Sequence, residues 1–477
     1  MFHVKQSAPP HILLVNPWIT DFAAYNLWSR PLGLLEIGGI LRDAGFRVSL
    51  IDCVDAENFS VQTPFRPKTS PYGAGKLKRT PIKKPKLFSA IPRKYCRYGI
   101  TPEDFSLQLK RLPKPDLVLV TSIMTYWYPG VKEAIEHLKR HFPHTPVWLG
   151  GVYATLLPRH ARTVCRPDRV IEGPFTGNLL REVCDLTGHS PAQSPPLPGQ
   201  AGLPFWEGYN FHHFLCIRTS LGCPFRCPYC ASHLLSPGFV EHPVEPLAET
   251  VVRLYRFYQV RDFAFYDDAL LVNASTRFIP FLKALKKRGL PVRFHTPNGI
   301  HIRLITREIA FLMKQAGFNT LRLSLETINP ETQKRLGSKV TLEEFDRALR
   351  YLFEAGFTHE EIKVYLLVGL PGQTFEEVTA SVAAVLERGI RPSLAEYSPI
   401  PGTALWEAAC RVSPYPLKEE PLTHNNILLA CGGKEITKER LDALKREIQA
   451  AFGSNPPENG AVKPEFFPQE KPDEEHP

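Results

Sequence analysis

Cys223, Cys227 and Cys230 stand within the run TSLGCPFRCPYCASH at 219–233. Three thiolates at C-x-x-x-C-x-x-C spacing in one loop can hold three irons of a 4Fe-4S cluster. Such clusters are usually held by four cysteines, so three leave one iron open for another ligand. The same stretch admits a zinc knot with His233 as fourth ligand. Zinc sites generally use two separated ligand pairs, however, and a domain of this size needs no metal clip. Of the other cysteines, Cys53, Cys165, Cys184 and Cys410 are expected to be small buried hydrophobes. Cys216 lies in the strand before the cluster motif. Cys431 precedes Gly432-Gly433 and points only weakly to an active site. No second cluster motif is visible.

The elements that must position this loop form a regular alternation. Strands are expected at 214–219, 262–266, 291–295, 320–325, 361–368 and 393–397. Helices are expected at 246–258, 276–288, 306–316, 342–355 and 374–389, between and after them. Six such repeats predict a full or partial (β/α)6 barrel over residues 205–410, with chemistry at the carboxyl ends of its strands. An earlier alternation over 10–188 has strands at 11–15, 47–51, 116–121 and 146–149. It predicts a doubly wound parallel sheet, with helices at 31–45, 129–141 and 176–187. No G-x-G-x-x-G follows its first strand, so the dinucleotide fingerprint is missing. Its ligand would meet the loops at Asn16, Thr121 and Gly150. A linker is expected at 189–204, a helical extension over 411–453, and a disordered tail at 454–477.

With an aromatic residue before the last cysteine, and with Gly222, Pro224 and Tyr229 around it, the cysteine motif resembles the radical S-adenosylmethionine (radical SAM) superfamily. The resemblance spans most of residues 210–405. It implies that the open iron chelates SAM, and that the reduced cluster cleaves the sulfonium bond to give a 5′-deoxyadenosyl radical. It implies an electron donor such as flavodoxin or ferredoxin. Tyr229, Asp268, Ser324, Glu326 and Gly369 fall at positions similar to the family's SAM contacts, with Asp267 as second choice to Asp268. A helix cap is the other reading of the aspartates, and a surface salt bridge that of Glu326. Asn298-Gly299 and Arg303 also resemble positions near SAM. Val368 to Thr374 resembles the element beside the adenine, with Glu376 capping the next helix, and Pro401-Gly402-Thr403 resembles the family's terminal element.

An α/β domain ahead of such a barrel resembles the superfamily's cobalamin-binding class. The residues carrying that likeness are Asn16-Pro17, Pro31 to Leu34, Gly150-Gly151 and Glu172-Gly173. The class implies C-methylation of an unactivated C–H position. Thr121, Ser122, Gly150 and Gly151 would then contact the cofactor, with the aromatic run Tyr126-Trp127-Tyr128 beside them. One departure is plain. The D-x-H-x-x-G signature is absent, and the chain reads Asp52-Cys53-Val54-Asp55 there. Two alternatives stand beside this reading. One is a radical SAM enzyme acting on RNA; the other is a non-enzymatic, metal-stabilised binding protein. The methylthiotransferase type does not fit, because its three further N-terminal cysteines and its C-terminal β-barrel have no counterpart here.

The chain has 477 residues and a net charge of +10. Two or three domains fit that length. Between Glu57 and Glu103 there is no acidic residue but 11 basic ones. Without the segment 60–97 the protein is near neutral, so nucleic acid is not the expected partner. That segment reads either as a solvated loop or as a basic flap over the carboxyl edge of the first sheet. No apolar run suits a signal peptide or a membrane span, and ten cysteines do not make a disulfide scaffold. The expected setting is the cytoplasm, with a small-molecule or peptide substrate.

Overall fold

The structure is a computed structural model and describes residues 8–62, 64–191, 202–236 and 238–452. Most of the expected linker and all of the expected tail therefore lie outside the described residues. The fold is mixed α/β, built on two parallel sheets.

The first sheet contains β1 (His11–Asn16), β2 (Arg47–Asp52), β3 (Leu117–Val120), β4 (Val147–Leu149) and β5 (Arg169–Val170) in the order β5-β4-β3-β1-β2. Every pairing is parallel. Ile12 to Val15 are wholly buried, because helices cover both faces and a strand so placed must be apolar throughout. Helix Leu32–Asp43 approaches closely through its glycines. A Cβ on Gly38 would lie 2.6 Å from Leu14, and one on Gly39 2.1 Å from the Leu203 carbonyl oxygen. Since β1 sits between β2 and β3, the winding reverses beside it, which opens a crevice at the strands' carboxyl ends.

The second sheet contains β6 (Leu215–Ile217), β7 (Asp262–Phe265), β8 (Arg293–His295), β9 (Phe318–Glu326), β10 (Ile362–Val368) and β11 (Arg391–Glu396). They pair in sequence order, all parallel, and Ile300–His301 pairs additionally with β9. One face of this sheet is aromatic. Phe265 meets Phe278 and Phe281 of helix Phe278–Arg288, and stacks at 5.4 Å on Phe318. The opposite face turns toward the first sheet's domain. There Trp28 stacks on His295 with centroids 4.7 Å apart, and donates from Nε1 to the Tyr72 carbonyl at 2.9 Å. Tyr72 also packs on His295, and the Arg293 guanidinium lies over the Tyr72 ring.

The basic segment is more ordered than a solvated loop. Arg79–Pro81 and Cys96–Tyr98 form an antiparallel sheet with Ile19–Asp21. Phe88 and Tyr95 are buried against Phe22 and Leu422. Its apolar residues anchor it while Lys68, Lys83, Lys86 and Lys94 are exposed and Lys78 and Lys84 are half-buried, a division that net charge alone does not reveal. A helix at Pro102–Arg111, capped by Thr101, follows it. Two of the cysteines expected to be buried, Cys184 and Cys410, are only half-buried, as residues on helix faces near the surface.

Candidate functional site

The three cysteines occupy the turn after Ser220–Gly222, which pairs with Phe239–Glu241. Gly222 has φ +80, and a Cβ there would strike the Gly238 carbonyl oxygen at 2.2 Å, so glycine is required where the loop turns back. The Leu405 amide donates to the Pro228 carbonyl at 3.0 Å, tying the loop to the segment after β11. Cys223, Cys227 and Cys230 are all half-buried and free of disulfides. Burial pushes the Cys223 thiol up to about 11, and Asp268, Cys230 and Cys227 add to this; burial also raises Cys227. As thiolates the three would repel one another without a counter-charge, which adds to the effect of burial on Cys223 and Cys227. They fit a cationic iron core, which would hold them as thiolates. No three His, Cys, Asp or Glu side chains among the described residues close around a single-metal position. His233 lies beyond the turn, in the short helix Ser232–Leu235.

The ends of the second sheet's strands are stitched to this loop. Buried Asp267 accepts from the Thr219 amide, the Thr219 hydroxyl at 2.6 Å and the Ser220 hydroxyl at 2.7 Å. The Arg277 guanidinium lies 3.7 Å away. Asp267 is thus committed to the fold, whereas its neighbour Asp268 is exposed. Asp268 is still ringed by protein atoms: burial first, then the charge of Asp267, raises its carboxyl above the usual range. Asn298 donates to the Asp267 carbonyl at 3.2 Å. Gly299 lies against Ser324, whose Oγ would be 1.8 Å from a Cβ there.

Glu326 ends β9 with φ +68. Its Oε1 accepts from the Tyr229 hydroxyl at 2.9 Å and from Lys339 Nζ at 2.7 Å. Burial opposes charge on Lys339, but Glu326 outweighs it and raises the pKa. Tyr229, Ser324 and Glu326 are therefore gathered beside the cysteine loop, with Lys339 as a member that spacing did not signal. Gly369 has φ +85 and its amide donates to Gln373 Oε1 at 2.8 Å, and Leu429 lies 3.7 Å from where its Cβ would be. Two residues depart from expectation. Arg303 turns outward to Glu344 at 3.0 Å. The helix after β10 is capped by Thr374, not Glu376, because the threonine hydroxyl reaches the Glu377 amide.

A cavity of about 480 Å³ lies between the two sheets. Asn16, Asp52 and Ser122 line it from the first sheet's carboxyl ends, and Tyr266, Pro297 and Asn298 from the second sheet. Lys76, Leu77 and Lys78 of the basic segment complete its wall. Tyr25, Leu27, Ile123 and Met124 all line it, although each is between 39% and 57% exposed. Apolar side chains left open in a cavity suit a large, flat, largely apolar ligand. Asp52 accepts from Asn16 at 2.7 Å and Tyr209 at 2.8 Å. Below it, the Arg30 amide donates to the Tyr266 hydroxyl, just after β7 of the second sheet, at 2.8 Å, and the Arg30 side chain forms a buried ion pair with Asp55. Burial opposes charge on both partners, yet each holds the other ionised. Of the four residues expected at a cofactor there, Ser122 lines the cavity and Thr121, Gly150 and Gly151 stand behind it. Ser122 donates to the Gly150 carbonyl at 2.6 Å, and a Cβ on Gly151 would meet the Ser122 carbonyl oxygen at 2.3 Å.

Residues 217–385 match the radical SAM superfamily. An uncharacterized methyltransferase of Pyrococcus horikoshii is 25% identical over 386 residues, covering 72% of this chain and 79% of that protein. The anaerobic magnesium-protoporphyrin IX monomethyl ester cyclase of Synechocystis is 22% identical, covering 65% and 60%. Among solved structures, the radical SAM methyltransferase TsrM of Kitasatospora setae, with tryptophan and a SAM analogue bound, superposes with TM-score 0.62. Its identity is 17%, with 85% of this chain and 77% of that one covered. The cobalamin-dependent enzyme OxsB with aqua-cobalamin bound gives TM-score 0.55 at 12% identity, covering 92% and 61%.

Proposed function

Starting from residues 217–385 as a radical SAM domain, we propose that this enzyme methylates an unactivated carbon of a small molecule or peptide, using a 4Fe-4S cluster, SAM and cobalamin. When bound, these groups supply the reductive cleavage of SAM and a methyl group carried on cobalt. In this reading residues 10–188 are the cobalamin-binding domain and 205–410 a partial (β/α)6 barrel. Residues 411–453 form an extension that braces the two.

Cys223, Cys227 and Cys230 hold the cluster. Asp268 faces the SAM amino group, and Ser324 and Glu326 its hydroxyl-bearing part, with Tyr229 and Lys339 fixing the Glu326 carboxylate. Gly369 lets the backbone approach the adenine. Ser122, with Gly150 and Gly151 behind it, borders the corrin, and Leu27, Ile123 and Met124 exclude water from its face. The D-x-H position is Val54, not histidine, and among the described residues lining the cavity the one histidine, His213, sits 2.9 Å from Glu57. A cobalt ligand from this chain is therefore not part of the proposal. The observation that carries the reading is the cavity, which is bounded at once by the carboxyl ends of the first sheet and by Tyr266 and Asn298 of the second. Among the described residues no helix is long and apolar enough to cross a membrane. A flavodoxin or ferredoxin in the cytoplasm would supply electrons.

The test is anaerobic reconstitution with iron, sulfide and hydroxocobalamin, then desalting and an absorption spectrum. Near-stoichiometric corrin and 5′-deoxyadenosine formation on reduction with SAM are expected. Protein that cleaves SAM but retains no corrin refutes the cobalamin half and leaves the radical half standing.

A further inference from the structure

The barrel face turned toward the first domain carries an unusual row. Arg322 of β9 pairs in register with Lys363 of β10, and Lys363 with Arg391 of β11. Residues paired directly across parallel strands share a face and lie roughly 5 Å apart. Three cations thus stand side by side on one rung, each half-buried. Like charges directly opposite on neighbouring strands are destabilising, and a chain that keeps three of them without counter-ions is holding them for something else.

No carboxylate answers them. Arg322 donates to the Leu321 carbonyl and to the Tyr365 hydroxyl, and Arg391 reaches the Gln449 side chain. Among the described residues Lys363 has no hydrogen-bond or ion-pair partner. Burial first, and then Arg322 and Arg391, depress its ammonium to about 8. Glu396, five residues along β11 from Arg391, is engaged by Lys438 and Lys445. Lys363 and Arg391, together with Ser393, Lys445 and Ile448, border a cavity of about 310 Å³. The rung lies just below Ser324, since Ser324 pairs with Tyr365 and Tyr365 with Ser393. Two residues along a strand span roughly 7 Å. The other half of this face is filled by Trp28 and Tyr72, so the cationic half is the part left open beneath the SAM residues.

We propose that Arg322, Lys363 and Arg391 form an oxyanion-binding site that holds the phosphate or carboxylate of the molecule being modified, one rung beneath Ser324. That the anion belongs to the substrate rests on the function proposed above; the binding of an oxyanion does not. A phosphate ester and a carboxylate share this chemistry. Three donors on one wall, two of them forked guanidinium groups, suit either.

The experiment titrates the full-length protein, without cluster or cobalamin, with methyl phosphate and separately with malonate at low ionic strength, by calorimetry. One of the two is expected to bind, and which one identifies the substrate's anionic group. Lys363→Met should weaken it by at least about tenfold, and Lys363→Arg should restore most of the loss. A structural lysine would lower the melting temperature when removed; here Lys363→Met should leave it unchanged or raise it, because repulsion is relieved. The proposal is overturned if neither anion binds, or if Lys363→Met binds as tightly as the parent. Because no cofactor is present, either failure is distinct from a failure of the corrin or SAM assays.

Discussion

Lys339 and Glu326 form a buried ion pair at 2.7 Å, with side chains 12% and 6% exposed, beside the loop that carries the cysteines. The same carboxylate oxygen receives the Tyr229 hydroxyl. Glu326→Gln removes the carboxylate that faces the Lys339 ammonium and leaves a buried charge without its partner. A loss of roughly 3 kcal/mol is expected in urea unfolding. The double variant with Lys339→Met should recover part of it, so the coupling appears in a double-mutant cycle. Additive losses would mean that the pair is screened.

Asp267 and Asp268 are adjacent but predicted to fail differently. Asp267→Ala strands the Thr219 and Ser220 donors and the Arg277 charge, and should cost about 3 kcal/mol of stability. Asp268→Ala should leave the melting temperature nearly unchanged and weaken SAM binding by about tenfold. Thermal melts and SAM titration on both variants read the contrast directly.

Cys227→Ala should abolish the full 4Fe-4S complement and with it 5′-deoxyadenosine formation. Iron, acid-labile sulfide and the electron paramagnetic resonance spectrum of the reduced protein are the checks. Retention of both cluster and turnover would defeat the cluster assignment.

The basic segment can be tested at two residues, because deleting it would strip Phe88 and Tyr95 from a buried cluster. Lys76→Glu with Lys78→Glu reverses the charge at the cavity wall and touches none of that packing. Cobalamin retention after desalting should fall several-fold, and more at low salt than at high salt, with the melting temperature held.

His424 supplies a pH test. It is 1% exposed. Its Nε2 lies 2.8 Å from the Leu417 carbonyl, so Nε2 carries the proton, and Nδ1 accepts from the Thr125 hydroxyl at 2.8 Å. Burial lowers its pKa to about 4. Between that value and about 6.5 the unfolded chain binds the proton and the folded chain does not, so stability rises with pH over this window. It is complete above pH of about 6.5 and lost on acidification toward pH 4, by on the order of 3 kcal/mol. His424→Gln should flatten that part of the profile of urea midpoints.

The strands and helices were legible because buried parallel strands must be apolar and their helices amphipathic, and both periods survive in residues 215–396. That the three cysteines share one loop was legible from their spacing. Lys339 was not, since a lysine after a Gly-Ser turn carries no pattern; only the fold brings it to Glu326, 13 residues back. The role of Asp267 was also hidden. Two successive aspartates are equivalent as sequence, and the turn after β7 sends one inward to Thr219 and the other outward. The anchoring of the basic segment depended on Phe88 and Tyr95 finding Phe22 and Leu422, contacts too distant along the chain for any local reading.

Trp28 and Tyr72 have a consequence for how this protein can be divided. Both come from the N-terminal half, yet they pack on His295 in the C-terminal half. The second sheet with its helices, expressed alone, would present His295 and the Arg293–Asp262 pair to water with their aromatic cover gone. The N-terminal half alone would carry two bare rings in place of a finished surface. The two halves are therefore not interchangeable cassettes: grafting the C-terminal half onto another N-terminal half would have to bring Trp28 and Tyr72 along, and gene fusions that cut between the halves should yield insoluble pieces.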